Sequence, residues 1–176
     1  MADFDKYAPA LDSWEGGFAL VKNDKGGWTN RGVTLDTFRQ YINSNATPED
    51  LGKMTDAQWR SIAKGKFWDA CGGDQIKNQS VAELFVDWCY HSGLGMISKV
   101  QGIVGTRVDG KVGPLTIGAI NSWNQRRLHF AIKRARLEHL ATITQNRSTN
   151  LDFYDGWIRR VAALRYGNSM DKNRPV

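Results

Sequence analysis

Two carboxyl groups and a hydroxyl lie near the start of the sequence. Glu15 stands between Trp14 and two glycines. Asp24 follows nine residues later and opens an Asp-Lys-Gly-Gly turn, and Thr29 comes five residues after it. An apolar neighbour such as Trp14 raises the pKa of a carboxyl group toward that of a general acid, whereas a carboxylate in a solvated turn stays ionised. Two carboxyl groups in such different environments are what glycoside hydrolysis requires.

The same residues also have a plainer interpretation. Glu15 could be a surface acid at a helix end, and Asp24 a turn former, since Asp before Gly is common in turns. Two features favour chemistry at Glu15. An acid at a helix C-terminus opposes the helix dipole, and the glycines that follow it let another chain approach closely.

Three ordered motifs carry a family resemblance. They are Glu-Gly-Gly-Phe at 15–18, Asp-Lys-Gly-Gly at 24–27 and Thr-Asn-Arg-Gly-Val-Thr at 29–34. In this order and spacing they resemble the signature of the glycoside hydrolase family 108 N-acetylmuramidases. Residues 81–93 resemble a later helix of that family. Residues 101–120 are similar to the peptidoglycan-binding-like region that usually completes these proteins, so the resemblance covers nearly the whole chain.

The resemblance implies a mainly α, lysozyme-like fold with a small loop or β-hairpin subregion near residues 17–34. It implies cleavage of the β-1,4 bond between N-acetylmuramic acid and N-acetylglucosamine. Glu15 matches the family's catalytic glutamate, and Asp24 with Thr29 resembles the pair that positions water in phage-type lysozymes. We expect no cofactor and no metal. The candidate substrate-binding residues are Gly16, Gly17, Gly27, Asn30, Asp87 and His91. We interpret His91 as a helix-end histidine satisfied by its neighbours in preference to a catalytic residue.

The turn that carries Asp24 predicts how the reaction proceeds. A carboxylate that reaches in from a turn, with Thr29 nearby, is better suited to hold a water than to touch the anomeric carbon. Inverting enzymes leave room for that water, with carboxyl groups about 6.5–9.5 Å apart, whereas retaining enzymes hold them at about 5–5.5 Å. We therefore expect inverting hydrolysis. A lytic transglycosylase, which has no use for a positioned water, is the alternative.

The elements that position these residues are predicted to be helices joined by short, glycine-containing loops. A first helix ends at Trp14, before the least helical stretch of the chain. Start signals predict helices that begin at Thr47-Pro48, at Thr55 with Gln58, at Ser80 with Glu83, at Pro114 and at Asn150. Apolar residues at three-and-four spacing extend the Ser80 helix to Gly93 and predict another helix around residues 97–104.

The second half of the chain is rich in basic residues. Apolar residues recur at three-to-five spacing from Leu128 to Ile143 and predict an amphipathic helix. Its other positions carry Arg126, Arg127, Lys133, Arg134 and Arg136, which we interpret as a solvated face in preference to a DNA-reading surface. The last helix carries the apolar residues Phe153, Trp157, Val161 and Leu164.

Composition limits the class of protein. The chain has 176 residues, of which 41% are hydrophobic and 24% charged, which excludes wholesale disorder, collagen and coiled coil. The formal charge of +6 favours an acidic partner or substrate surface. Cys71 and Cys89 lack the spacing of a zinc site, so we expect two buried thiols.

We expect residues 1–95 to form the lysozyme-like catalytic region and residues 96–176 the helical peptidoglycan-binding-like region, packed as one unit. The leading hypothesis is a monomeric wall-lysing muramidase, from a phage or prophage or used as an exported effector. The N-terminus lacks a signal peptide pattern, so the enzyme would be made in the bacterial cytoplasm and act on peptidoglycan glycan strands after release or export. A non-catalytic peptidoglycan-binding protein and a nucleic-acid-binding helical protein are the competing hypotheses.

Overall fold

The structure, a computed structural model, describes residues 1–15, 19–20 and 27–167. Over these residues the fold is mainly α with one small sheet, as predicted. The α-helices are α1 Phe4–Trp14, α2 Leu35–Tyr41, α3 Pro48–Gly52, α4 Asp56–Ile62, α5 Gln79–Ser92, α6 Met96–Val104, α7 Pro114–Ser122, α8 Gln125–Asn146 and α9 Leu151–Ala163. A π-helical segment, Ala63–Trp68, continues α4, and single 3-10 turns cover Gly73–Gln75 and Ser148–Asn150.

The sheet lies between α1 and α2 in the chain and occupies the stretch predicted to be least helical. Its strands are β1 Ala19–Leu20, β2 Trp28–Asn30 and β3 Val33–Thr34, in the order β1-β2-β3. Both pairings are antiparallel, with Thr29 opposite Ala19 on one side and opposite Thr34 on the other. Thr29 therefore sits on the central strand.

Helix α5 is the centre of the core. Its residues from Ser80 to Tyr90 are all buried, so the helix has no solvated face over three turns. The π-helical segment, α6 and α8 pack around it. A helix covered on all sides is apolar all round, and the polar exceptions in α5, Glu83 and Asp87, therefore need partners inside the protein.

Local start signals predicted three of the helix beginnings correctly. Thr47 with Asp50 and Thr55 with Gln58 form reciprocal capping boxes, and α7 begins at Pro114. Helix α5 begins earlier than predicted, because the Asn78 side chain accepts from the Val81 backbone N–H at 3.1 Å. The predicted Ser80–Glu83 capping box is therefore wrong, and the Ser80 hydroxyl instead accepts from the Gly167 backbone N–H.

The end of α8 and the start of α9 depart from the expected cap. Asn150 precedes α9 as predicted, but its side chain makes no capping bond to α9. Its amide instead donates to the Ile143 carbonyl near the end of α8, at 2.9 Å.

Helix α8 matches its predicted extent, but its basic residues are not all solvated. Arg136 is fully buried on the same face as Ile132 and Leu140, four residues to either side. Lys133 is half-buried and donates to the carbonyls of Ala162 and Leu164, at the end of α9. The prediction of a solvated face is therefore wrong at Arg136. Its guanidinium forms a buried ion pair with Asp87 of α5.

The predicted thiols are confirmed: Cys71 and Cys89 are buried and free. Burial raises the pKa of the Cys71 thiol well above its ordinary value. Within residues 1–15, 19–20 and 27–167, no helix is long and apolar enough to cross a membrane. The same residues contain no cluster of three or more side chains of the kind that ligate metals.

We predict that a fragment of residues 1–95 does not fold stably. Helix α8 packs against α5 in the whole chain, so the fragment would expose an apolar face of α5 and leave Asp87 without its arginines. Heating the fragment should give no cooperative transition, whereas the full chain serves as the folded control. A cooperative melt with well-dispersed NMR signals from the fragment would contradict the prediction.

Candidate active site

Glu15 is the first residue after α1. Its backbone N–H donates to the Asp12 carbonyl at 3.0 Å, and its extended conformation turns the chain away from the helix axis. The side chain is only 9% exposed. A carboxyl group at this position is thus held by rigid backbone and is largely removed from water.

One guanidinium connects Glu15 to the core. Arg160 of α9 donates from Nη1 to Glu15 Oε1 at 2.7 Å. The same group binds Asp87 of α5 through two further nitrogens, with Nη2 2.8 Å from Oδ1 and Nε 3.0 Å from Oδ2. Arg160 therefore bridges two carboxyl groups, and its planar fork fixes their relative orientation.

Asp87 has two more partners. Arg136 Nη1 lies 2.7 Å from its Oδ2, and the Tyr7 hydroxyl donates to its Oδ1 at 2.9 Å. Asp87, Arg136 and Tyr7 are all fully buried. The cluster thus joins α1, α5, α8 and α9 around one buried carboxylate.

The two carboxyl groups of the cluster have opposite pKa shifts. Burial by itself would raise the pKa of Asp87, but Arg160 and Arg136 hold it well below its ordinary value. Burial raises the pKa of Glu15, and the opposing charge of Arg160 does not cancel the rise. Asp87 is therefore held in its ionised form by the two arginines, whereas Glu15 keeps its proton to a higher pH than an ordinary glutamate does.

The second oxygen of Glu15 faces the turn between β2 and β3. A Cβ placed on Gly32 would lie 2.5 Å from Glu15 Oε2 and 2.7 Å from Tyr90 Cε1. Arg31 and Gly32 both have positive φ, +50° and +73°, in a two-residue hairpin between the paired Asn30 and Val33. This turn type favours glycine at its second position, so Gly32 is required both by the backbone and by Glu15.

Aromatic side chains hold the tip of this hairpin in place. The Tyr90 hydroxyl donates to the Arg31 carbonyl at 2.7 Å and accepts from Trp59 Nε1 at 3.1 Å. The Arg31 guanidinium binds Asp12 of α1 and Asp56 of α4. The hairpin is therefore tied to three helices beside Glu15.

Comparison with known proteins matches both halves of the chain. Residues 8–93 match the family described as glycosyl hydrolase 108, and residues 96–162 match the family described as a predicted peptidoglycan domain. The first part of the chain is thus a glycosyl hydrolase 108 domain, and a predicted peptidoglycan domain follows it. The matches support a glycoside hydrolase that acts on peptidoglycan.

A solved structure is similar over nearly the whole chain. It is the structure of Brucella abortus SagA, with a TM-score of 0.79 and 28% sequence identity, and the alignment covers 92% of this chain and 90% of that one. The search of curated proteins gave no match.

The cluster around Asp87 contains residues from both matched regions. Glu15 and Asp87 lie in the glycosyl hydrolase 108 match, and Arg136 and Arg160 lie in the peptidoglycan domain match. The surroundings of the candidate acid in this glycosyl hydrolase 108 protein are thus built by both halves of the chain.

The predicted site residues have different positions. Gly16, Gly17 and Asp24 lie outside the described residues. Thr29 is half-buried on β2, the strand that leads into the hairpin beside Glu15. Gly27 has a φ of +60°, and among the described residues none lies within 4 Å of an added Cβ, so the backbone conformation is the feature that favours glycine there.

Two predicted substrate contacts are corrected by burial. Asp87 is 0% exposed and cannot touch a glycan; it holds Arg160 instead. Asn30 is buried as well, and its amide donates to the Leu51 carbonyl at 2.8 Å, which anchors β2 to α3. His91 is half-buried, with its ring 5.5 Å from that of Trp157, and its contact with substrate stays a prediction.

Sequence reasoning missed Arg136, Arg160, Gly32 and Tyr90. A usable signal existed for the two arginines, because each falls on the apolar face of its helix: Arg160 lies three residues after Trp157 and four before Leu164. A charge at such a position indicates a buried partner. Gly32 lies inside the Thr-Asn-Arg-Gly-Val-Thr motif, and a glycine between two short strands could have been predicted to occupy a tight turn. No local sequence pattern indicated a role for Tyr90 at this site.

We predict that Asp87→Asn lowers the free energy of unfolding by about 3–5 kcal/mol, because two buried guanidiniums lose their shared counter-charge. Tyr7→Phe is the matched control, since it removes one hydrogen bond to the same carboxylate and should cost about 0.5–1.5 kcal/mol. Urea unfolding of both variants measures the difference. Equal losses of stability would show that the charge of Asp87 does not hold the cluster.

Proposed function

We propose that the chain hydrolyses the β-1,4 bond between N-acetylmuramic acid and N-acetylglucosamine in peptidoglycan, with Glu15 as the general acid. The observation that carries the proposal is a nearly buried carboxyl group with a raised pKa. It is held by an arginine on one oxygen and lies against a glycine turn on the other. A general acid needs a pKa near its working pH and a fixed orientation.

The arrangement defines which oxygen delivers the proton. Arg160 donates to Glu15 Oε1, so the transferable proton belongs on Oε2. In the proposed step Oε2–H protonates the glycosidic oxygen as its bond to the anomeric carbon breaks. A water attacks that carbon from the opposite face and gives its own proton to a base, so the product is inverted.

We assign the positioning of the attacking water to Asp24 and Thr29. Thr29 supports this assignment because it lies on the strand that leads into the hairpin beside Glu15. Asp24, which precedes this strand in the sequence, would act as the base. The assignment rests on the order of the three residues and on the family resemblance.

The biological setting is part of the same proposal. The formal charge of +6 suits the acidic polymers of a bacterial wall. The enzyme would be made in the bacterial cytoplasm, reach the wall after release or export, and lyse it for a phage or as an effector.

Muropeptide analysis tests the reaction itself. Sacculi digested by the protein should yield products with ordinary N-acetylmuramic acid at the reducing end, because water is the acceptor. NMR should show the α-anomer first, before mutarotation. Anhydromuropeptides as the main product would make the enzyme a lytic transglycosylase, and N-acetylglucosamine reducing ends would mean that the other glycosidic bond is cut. An initial β-anomer would show retention.

We predict that Glu15→Gln lowers lysis by roughly 10²–10⁴-fold, because the amide keeps the shape of the side chain and loses the transferable proton. Dye release from labelled sacculi measures the loss, and an unchanged circular dichroism spectrum controls for folding. If the variant keeps more than about a tenth of the wild-type rate, Glu15 is not the acid.

We predict that comparing the thermal stability of Glu15→Gln with that of the wild type reveals the raised pKa of Glu15. A carboxyl group whose pKa is higher in the folded protein stabilises the fold below its unfolded pKa of about 4.3, and this contribution is lost as the pH rises through the folded value. The side-chain amide of the variant does not titrate in this range. The Tm of Glu15→Gln relative to wild type should therefore increase with pH across the weakly acidic range and then level off; a difference that is independent of pH would contradict the shift.

A further inference from the structure

Two aromatic side chains stack on the outer part of α9. The rings of Phe153 and Trp157 have centroids 6.1 Å apart and planes inclined by 20°. Phe153 is 60% exposed, and Trp157 is half-buried with the edge of its ring system on His91. An exposed Phe stacked on a half-buried Trp leaves apolar ring surface in contact with water, so the pair calls for an explanation beyond packing.

The pair continues the helix face that holds the candidate acid. Phe153, Trp157, Arg160 and Leu164 are spaced by four, three and four residues, so they lie along one side of α9. Leu164 and Arg160 are buried, Trp157 is half-buried and Phe153 is exposed. The side chains on this face therefore become more exposed toward the start of the helix.

The stack lies on the same helix as Arg160, the residue that contacts Glu15. Trp157 is one helical turn from Arg160, whose guanidinium binds Glu15, and Phe153 is about 10 Å from Arg160 along the axis. His91 follows Tyr90, the residue packed beside Gly32 and the hairpin tip. The aromatic residues thus lie on α5 and α9, the two helices that also carry Tyr90 beside the hairpin and Arg160 on Glu15.

The chemistry of this surface suits a sugar ring. The flat faces of Phe and Trp match the C–H faces of a pyranose, and their contact buries apolar area on both partners. Burial lowers the pKa of His91 to about 3, so its ring is neutral at physiological pH. A neutral imidazole has one donor and one acceptor nitrogen. The Nδ1 of His91 is hydrogen-bonded to Ser92 Oγ at 3.3 Å, so Nε2 is the nitrogen that would meet a hydroxyl or acetamido group.

We propose that Phe153, Trp157 and His91 form a saccharide-binding subsite that extends the Glu15 site along α9 and takes an N-acetylated sugar of the glycan strand. The inference rests on the proposed function, since the sugar it binds belongs to the strand being cut. It gives the second half of the chain a direct contact with substrate, in addition to the arginines that half supplies to the core.

The test measures binding separately from cleavage. All proteins carry Glu15→Gln, and the probes are two sets of purified glycan strands, one freed of stem peptides by an amidase and one that keeps them. Trp157→Ala and Phe153→Ala should each weaken binding, Trp157→Ala by roughly tenfold and the more exposed Phe153→Ala by a few-fold, as expected for lost aromatic contacts. Phe153→Ala protects the test against misfolding, because its side chain is mostly outside the core. Trp123→Ala is the matched control, since Trp123 is 37% exposed at the end of α7, and it should bind normally.

Each outcome decides the proposal. Equal binding by the background protein and both aromatic variants overturns the subsite. Weaker binding only to strands that still carry stem peptides also overturns it, in favour of a peptide site. Failure of the proposed function would look different: strands bind and the aromatic variants weaken that binding, but protein with Glu15 intact releases no muropeptides.

Discussion

The buried charge of Asp87 is the constraint on which the site depends. A carboxylate with no exposed surface, in the middle of a helix packed on all sides, is tolerated only if its charge is paired and its oxygens are hydrogen-bonded. Tyr7, Arg136 and Arg160 meet that need from α1, α8 and α9. These helices are therefore fixed relative to α5 by one shared partner. A shift of α8 or α9 would separate buried charges, and a shift of α1 would break the Tyr7 hydrogen bond.

The position of Glu15 follows from this pairing. Arg160 is oriented by two bonds to Asp87, and its remaining Nη1 donates to Glu15. Asp87 also raises the pKa of Arg160, so the guanidinium stays charged and Glu15 always meets a cation on Oε1. Burial nevertheless raises the pKa of Glu15. The position of the Glu15 carboxyl group is thus set by Arg160, whereas its proton affinity is raised by its removal from water.

The hairpin completes the environment of the acid from the other side. Gly32 lets the β2–β3 turn approach Glu15 Oε2 more closely than any residue with a side chain, and Tyr90 and Trp59 hold the turn at that distance. The glycosyl hydrolase 108 match supplies Glu15, Gly32 and Tyr90, and the peptidoglycan domain match supplies Arg160. A peptidoglycan domain that acted only as a binding accessory would not need to place an arginine against the acid.

The sequence by itself determined the features that depend on neighbouring residues. Capping boxes at Thr47 and Thr55, the proline at the start of α7 and the glycine-rich stretch before Thr34 are local signals. The mainly α class, several helix bounds and the small sheet could therefore be predicted. The ordered motifs around Glu15 indicated the family for the same reason. Only the tertiary structure decided that Asp87 is an interior anchor, that Arg136 is not solvated and that Arg160 meets Glu15. Arg160 is 73 residues from Asp87 and 145 residues from Glu15 in the sequence. Contacts at such separations leave no local pattern except a charged residue on an apolar helix face. The partner of that residue depends on how the helices pack.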